Sequence, residues 1–237
     1  WEVAPEQHKE GLVVHSTGWP LDPQTYGGSF LYHLENNQVA VGFVVGLDYK
    51  NPYLSPFEEF QRFKTHPDIC KTFEGGRRIS YGARAISEGG YQSIPRLSFP
   101  GGLLVGDSAG FLNVPKIKGS HTAMKSGMVA AESIYEAINE TEPKWTLDYS
   151  HRLSNSWLWT ELKQVRNIRP SFRWGFWAGM IYSAIDTYIL RGKAPWTLKH
   201  HEDHKQLIPA RQAKKIDYPK PDNVLTFDRL TSVFISN

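Results

Sequence analysis

Cysteine is almost missing from this sequence: Cys70 stands alone among 237 residues. A single thiol closes no internal disulfide. Nor can it hold a structural zinc alone, or an iron–sulfur cluster, which takes four thiolates. Read on its residues, Cys70 is an inert, partly buried thiol. A strong charge bias is missing as well. The net charge is +3, too small for the electrostatic footprint of a nucleic-acid binder, so no nucleic-acid partner is expected. The histidines are scattered without ligand spacing, and no metal site is expected. The glycine fingerprint G-x-G-x-x-G, which seats a pyrophosphate at a helix start, is absent. The chain opens on Trp1 without the basic start, apolar run and cleavage site of a signal peptide. A mature protein, or a piece of a longer one, would read this way.

What is present is globular and aromatic. Apolar residues make up 40% and charged residues 22%, with aromatics at 13% and eight Trp. Such Trp and Tyr content points to a membrane interface, a ring-binding site or large cores. Residues 1–28 are polar and turn-rich, ending in Thr25-Tyr26-Gly27-Gly28. Ser29–Leu34 and Val39–Tyr49 read as strands joined by a hairpin loop at Glu35–Gln38. Ser55 caps a helix at Phe57–Lys64, with Pro56 in its first position. Arg77–Ala85 reads as a strand. Pro100–Asp107 reads as a buried strand ending in Gly-Asp, followed by a loop and a helix over Ser120–Asn139. Ala123, Val129, Ala130, Ile134 and Ile138 sit near helical spacing on that helix, and Glu140–Pro143 ends it. A second helix covers Leu147–Gln164, and an aromatic one Ser171–Leu190. The tail from Arg191 is polar with little regular pattern.

The segment Val105–Ala123 carries the chemistry. A strand delivers Asp107 to its carboxyl end, a loop containing Pro115 follows, and Gly119 opens a long helix. The arrangement suits a flavin. The carboxylate can accept from ribityl hydroxyls, and the amides at the helix start, with the positive dipole end, can face the ring's acceptor edge. An ordinary strand–turn–helix with a turn Asp reads equally well from Gly-Asp alone.

GDSAGFLNVPKIKGSHTAMKSG resembles the second flavin motif of the electron-transfer flavoprotein:ubiquinone oxidoreductase family. GWPLDPQTYGGSFLYHL, GLDYKNPYLSPFEEFQRFKTHP, EGGRRISYGARAISEGGYQSIPRLSFPGGLLVGD, VRNIRPSF and PWTLKH are similar to that family too. The resemblance implies an α/β (α+β mixed) fold. It consists of part of a glutathione-reductase-like FAD-binding domain plus a mixed-sheet, quinone-binding, membrane-docking domain. It implies FAD contacts from Gly106, Asp107, Asn113, Pro115, Gly119, Ser120, His121 and Thr122, and a quinone contact at Tyr26-Gly27-Gly28. The blander reading of Asn113 and His121 is loop stabilisation, and that of Tyr26–Gly28 is a turn before a strand.

Domains are expected at 1–95 (quinone side), 96–145 (strand, loop and helix of the FAD-binding domain), 146–200 (helices, including the aromatic one at 171–190) and 201–237 (an extended polar tail leading to a cluster domain). Trp174, Phe176, Trp177, Ile181, Tyr182 and Tyr188 suggest an in-plane membrane helix flanked by Arg169, Arg173, Arg191 and Lys193; a buried aromatic core helix is the alternative.

The family's enzymes carry FAD and a 4Fe-4S cluster. The fingerprint and the four cysteines are not in this chain, so companion chains or segments are expected to supply them. Without them the chain would expose apolar faces and lack independent stability. The activity implied is electron transfer from reduced electron-transfer flavoprotein, through FAD, to ubiquinone. Its setting would be the matrix face of the mitochondrial inner membrane or, alternatively, a bacterial cytoplasmic membrane. The competing reading is a non-catalytic structural subunit of a larger respiratory membrane assembly.

Overall fold

The computed structural model describes residues 1–139 and 148–236. In chain order it holds strands β1 (Val13–Ser16), β2 (Gly27–His33) and β3 (Val39–Val45), helices α1 (Pro56–Lys64) and α2 (Pro67–Cys70), and short strands β4 (Ser98–Phe99) and β5 (Gly102–Leu103). Helices α3 (Ser120–Asn139), α4 (Tyr149–Ser154), α5 (Trp157–Val165), α6 (Ile168–Ser171), α7 (Phe176–Ala184) and α8 (Arg229–Val233) follow. The fold mixes α and β, as expected. The chain divides into two compact units, Trp1–Arg84 with His201–Asn237, and Ala85–His200. This grouping joins residues 96–145 to 146–200, and the tail to the first segment.

In the first unit, β2 pairs with β1 and β3, antiparallel in both cases; the expected mixed sheet is an antiparallel one. The β2–β3 hairpin turns through Asn36 and Asn37, both at φ 56°, a left-handed conformation that Asn tolerates. The residues of β1 are all exposed. Such an edge strand pairs through its backbone and shows no alternation, so residues 1–28 read as turn-rich. The ring of Phe30 lies over its cross-strand partner Gly42, where a Cβ would come 2.1 Å from the ring edge. Arg77–Ala85 forms no strand. Arg77 exchanges amide–carbonyl bonds with Glu2 alone, and no further residue of the segment finds a strand partner.

Helix α1 begins as its sequence dictates, with Ser55 Oγ accepting the Glu58 amide and Pro56 in the first turn. Its buried side sets polar residues beside Phe57 and Phe63. Glu59, Gln61 and Lys64 are buried, and each holds a part of the tail. Tyr218 donates to Glu59 Oε1 at 2.7 Å, the Phe227 amide donates to Gln61 Oε1 at 3.0 Å, and Lys64 Nζ donates to the Leu225 carbonyl. The tail expected to be extended therefore packs back on α1. A turn carries it into α8: Asp222 Oδ1 accepts from the amides of Val224, Leu225 and Thr226, and these donors outweigh burial and hold the carboxyl down at about 2.

The second unit is organised around α3. Thr122, Ser126, Val129, Ala130 and Ser133 are its buried residues, and the core they face includes Phe111, Tyr149, Leu153, Leu158 and Leu162. Ile134 and Ile138 are exposed, although their spacing placed them with Val129. The expected buried strand ending at Asp107 is one arm of a two-residue hairpin turned by Gly101 at φ 82°. Val105 is exposed, because the pairing is spent once the Leu104 amide reaches the Leu97 carbonyl.

The helix expected over Leu147–Gln164 breaks between α4 and α5, where Ser156 is extended at ψ 162° and the hydroxyls of Ser154 and Ser156 donate back to carbonyls of α4. Its expected start at Leu147, and the α3 stop at Glu140–Pro143, lie outside the described residues. The aromatic helix starts late. Gly175 at φ 97° interrupts it, leaving α7 and a π-helical continuation at Ile185–Ile189.

Two of the sequence motifs meet in this unit. Arg166 donates to the carbonyls of Lys163, Gly192, Ala194 and Trp196 and to the Thr197 hydroxyl. Asn167 brackets the same strap by donating to the Trp196 carbonyl and accepting the Leu198 amide. Segment 195–200 is thus held by the start of the VRNIRPSF run.

Lys64 gives a test of this packing. Its ammonium lies over the rings of Trp1, Phe60 and Phe227, 5.3–5.4 Å from each centroid. Burial first, then the Arg78 charge, lower its pKa to about 7 against a partial offset from Asp222. An unfolded lysine keeps its proton to about pH 10.4. Between those values the unfolded chain binds a proton that the folded one has released, so stability rises with pH. The denaturation midpoint is expected to climb from about pH 7 to about pH 9.5, and Lys64→Met is expected to flatten that climb. Parallel curves for both proteins would contradict the burial of this charge.

Candidate flavin- and quinone-facing sites

The Gly106–Asp107 turn is fastened to α3 from beneath. Gly106 lies at φ 58°, and a Cβ there would stand 3.2 Å from Ala123 Cβ, so glycine meets both the left-handed turn and the close approach at least cost. Its amide donates to Ser126 Oγ at 2.9 Å, and that hydroxyl donates in turn to the Ala123 carbonyl at 2.7 Å. Tyr149, which burial raises to a pKa of about 12, donates to the Leu104 carbonyl just upstream. Asp107 follows, exposed at the surface of a short 3₁₀ turn.

The loop from Phe111 returns to the start of α3. Gly119 packs on Leu112, with room for a Cβ only 3.2 Å from Leu112 Cδ1. The first bond of the helical ladder runs from the Ala123 amide to the Gly119 carbonyl at 2.8 Å. The amides of Ser120, His121 and Thr122 therefore stand ahead of the ladder, where the partial positive charge of the helix concentrates. Ser120 is exposed, while Thr122 is fully buried and donates to the carbonyls of Phe111 and Gly119. Its side chain closes the loop and leaves the backbone as its means of meeting a ligand.

Asn113 and His121 converge on a residue the sequence did not single out. Asn113 is fully buried; its Nδ2 donates to Glu161 Oε1 at 2.7 Å, and its Oδ1 accepts the Lys116 amide at 3.3 Å. His121 Nε2 lies 2.8 Å from the same Glu161 oxygen. Both side chains thus shape the loop in the described structure. Pro115 is exposed in the turn closed by the Ile117 amide on the Val114 carbonyl. No sequence signal pointed to Glu161, because it lies 40 residues from His121 on a different helix.

These residues fit a flavin by the chemistry of their donors. An exposed carboxylate stands at a glycine turn and can accept from hydroxyls, and three amides without ladder partners can donate to an electron-rich ring edge.

On the first unit, Tyr26 is half-buried and its carbonyl accepts the Gly46 amide at 2.7 Å. Gly27 and Gly28 open β2. A Cβ on Gly27 would lie 2.3 Å from the Val44 oxygen, and one on Gly28 2.7 Å from the Ser16 oxygen. Neighbouring strands thus account for both glycines by themselves. Asp48, His201 and Asp203 bring ligand atoms within 4.8 Å of one another, a grouping that the scattered histidines of the sequence did not suggest. Cys70 is half-buried and donates weakly to the Pro67 carbonyl at 3.5 Å.

On α7 and its π-helical continuation, Trp177, Ile181 and Tyr188 point outward, with Trp177 75% and Tyr188 80% exposed. Phe176 is half-buried against Trp177, and Trp174 packs edge-on to Tyr182, which accepts a bond from Trp196 Nε1 at 2.7 Å. The inner side is closed by Gly179 against Phe172, and Asp186 is buried there rather than facing outward. Among the described residues no helix is long and apolar enough to cross a membrane.

Comparison with known proteins bears on these sites. Residues 1–86 match the family model described as ETF-QO, ubiquinone-binding. The whole chain is 57% identical to the human mitochondrial electron transfer flavoprotein-ubiquinone oxidoreductase, covering 40% of that protein. It is 57% identical to the Caenorhabditis elegans protein of the same name and 51% to that of Dictyostelium discoideum, covering 41% of each. Over its whole length the chain is thus similar to one part of the electron transfer flavoprotein-ubiquinone oxidoreductases. It spans about two fifths of the length of these relatives. Within this segment, the Gly106 turn and the quinone-domain match fall in different units of the fold.

The seating of that turn is open to direct measurement. Gly106→Ala is expected to cost about 1–2 kcal/mol, from a left-handed backbone and the contact with Ala123. Chemical denaturation measures it; an unchanged midpoint would mean that the turn is not pressed against α3.

Proposed function

We propose that this chain is the flavin-facing and quinone-facing part of an enzyme that passes electrons from reduced electron-transfer flavoprotein, through FAD, to ubiquinone at a membrane surface. The observation that carries the proposal is Asp107, on a left-handed glycine turn seated on α3, together with the unladdered amides of Ser120–Thr122 at the start of that helix. FAD, when bound, supplies the redox centre. The residues of this chain hold and polarise it. Asp107 accepts from the ribityl hydroxyls, the amides at the helix start donate to the acceptor edge of the ring, and the positive end of α3 favours negative charge there. No side chain here needs to act as nucleophile or general base for this transfer.

A second observation supports a glutathione-reductase-like FAD-binding domain. Helix α3 has a buried side of small and hydroxylated residues and an exposed apolar one. The latter carries Met124, Met128, Tyr135 and Ile138. A helix buried on one side that carries an apolar stripe on the other calls for cover there too. The sheet bearing the G-x-G-x-x-G fingerprint, on a companion segment, would provide it. The 4Fe-4S cluster does not fit this chain, because Cys70 is its only thiol; a companion segment is its natural place. Membership of a larger respiratory assembly is compatible with this reading.

For the quinone, the motif Tyr26-Gly27-Gly28 lies within the region matched to the ubiquinone-binding model. Strand packing demands the glycines, so Tyr26 and the backbone around it are the groups left to meet a quinone carbonyl. Ubiquinone is insoluble in water, and α7 offers a means of reaching lipid. Trp177 and Ile181 on it, continued by Tyr188 on the π-helical turn, form an outward stripe flanked by exposed Arg173, Arg191 and Lys193, the composition of an interfacial helix. The relatives are named as mitochondrial, which supports a mitochondrial setting; the matrix face of the inner membrane is the surface proposed, and a bacterial cytoplasmic membrane is the alternative.

Asp107→Ala in the full-length protein is expected to weaken FAD binding about tenfold, the worth of one or two hydrogen bonds, read by titrating FAD into the stripped enzyme. Unchanged affinity would remove Asp107 from the site. Trp177→Asp with Ile181→Asp, both at exposed positions, is expected to abolish flotation with liposomes while leaving the melting temperature unaltered. Undiminished flotation would show that α7 is not the membrane face.

A further inference from the structure

One carboxylate oxygen ties the flavin loop together. Glu161 Oε1 receives Asn113 Nδ2 at 2.7 Å, lies 2.8 Å from His121 Nε2, and stands 3.3 Å from Lys116 Nζ. These donors come from the loop before α3 and from its first turn. Glu161 itself comes from α5, whose Leu158 and Leu162 are buried in the core. The loop and the helix start are thereby referenced to the rigid interior of the unit. Burial pushes the Glu161 carboxyl up, but bonds from His121, Asn113 and Lys116 outweigh it and hold the group below its ordinary range.

An ionised carboxylate can only accept. The hydrogen of a neutral His121 therefore sits on Nε2, and Nδ1 is left as the ring's acceptor. Trp157, one turn earlier on α5, lies parallel to the imidazole at 5.8 Å and 10° and flanks the ring on one side. One helix thus sets both the position and the tautomer of His121.

We propose that Glu161 is a positioning residue for the flavin-binding helix start: through Asn113, Lys116 and His121 it fixes where the amides of Ser120–Thr122 point, and it places a negative charge behind them. The inference rests on the flavin reading above. A brace that served folding alone would set stability and nothing else. A brace that positions the helix start also sets FAD affinity, and its charge lowers the flavin's reduction potential, because reduction adds negative charge to the ring.

The test uses full-length, FAD-loaded enzyme carrying Glu161→Gln, Glu161→Asp or Glu161→Ala, with Asp107→Ala as a reference. Glu161→Gln keeps an acceptor for Asn113 and His121 but loses the charge. Its FAD affinity is expected to stay near wild type, while the midpoint potential rises. Glu161→Ala is expected to loosen FAD about tenfold, and Glu161→Asp to restore the potential in part. If the Glu161 variants melt lower but keep wild-type affinity and potential while Asp107→Ala loses FAD, the positioning role is overturned and the flavin site stands. If Asp107→Ala and every Glu161 variant leave FAD untouched, the flavin reading falls first and this inference with it. Should Glu161→Ala fail to fold, the potential of Glu161→Gln decides alone: an unshifted value overturns the proposal.

Discussion

The second unit depends on how closely one turn can approach one helix. Gly106 presses on Ala123, and its buried amide finds Ser126 Oγ as partner. A side chain at position 106 would meet a left-handed backbone and crowd Ala123, and an apolar residue at 126 would leave a buried donor unpaired, which costs about 1–3 kcal/mol. The contact fixes Asp107 relative to the first turn of α3. The turn must be flush with the helix if a carboxylate and a row of amides are to address one ligand. Small and hydroxylated residues therefore line the buried side of α3, where bulkier apolar ones would pack better by area alone.

The first unit solves a different problem with similar means. Its sheet is small, and much of its backbone runs in irregular segments whose polar groups must still be paired. Helix α1 meets that need by burying Glu59, Gln61 and Lys64, each bonded to a part of the returning tail. Arg166 does the same for the second unit, serving four carbonyls of the chain with one guanidinium. Buried polar side chains here act as partners for backbone that has no strand or helix to join. Each is expensive to desolvate and stays favourable only while its bonds are kept.

The residues that could be read ahead of the structure are those whose cause is local. Ser55-Pro56 starts α1, Asn36-Asn37 turns the hairpin, and the small-to-apolar rhythm of Ser120–Asn139 runs as one helix, all because neighbours in sequence decide them. What could not be read is decided at a distance. β1 has no apolar face because only its backbone is used. Ile134 and Ile138 keep helical spacing yet face outward, because spacing cannot tell which side of a helix a unit buries. The breaks at Ser156 and Gly175 followed from hydroxyl back-bonding and a left-handed glycine, neither of which interrupts the apolar pattern. At the candidate site, Asp107 and the start of α3 were legible from Gly-Asp and the later glycine. Glu161 was not, since its partners at 113, 116 and 121 come from another element.

The central claim is that the amides opening α3 lie against the electron-carrying ring of a flavin, and a structure of the full-length enzyme with FAD bound tests it most directly. The account predicts ring acceptor atoms within hydrogen-bond distance of the Ser120–Thr122 amides, with Asp107 on the ribityl chain. Amides meeting only protein or solvent, with the flavin bound elsewhere, would contradict it.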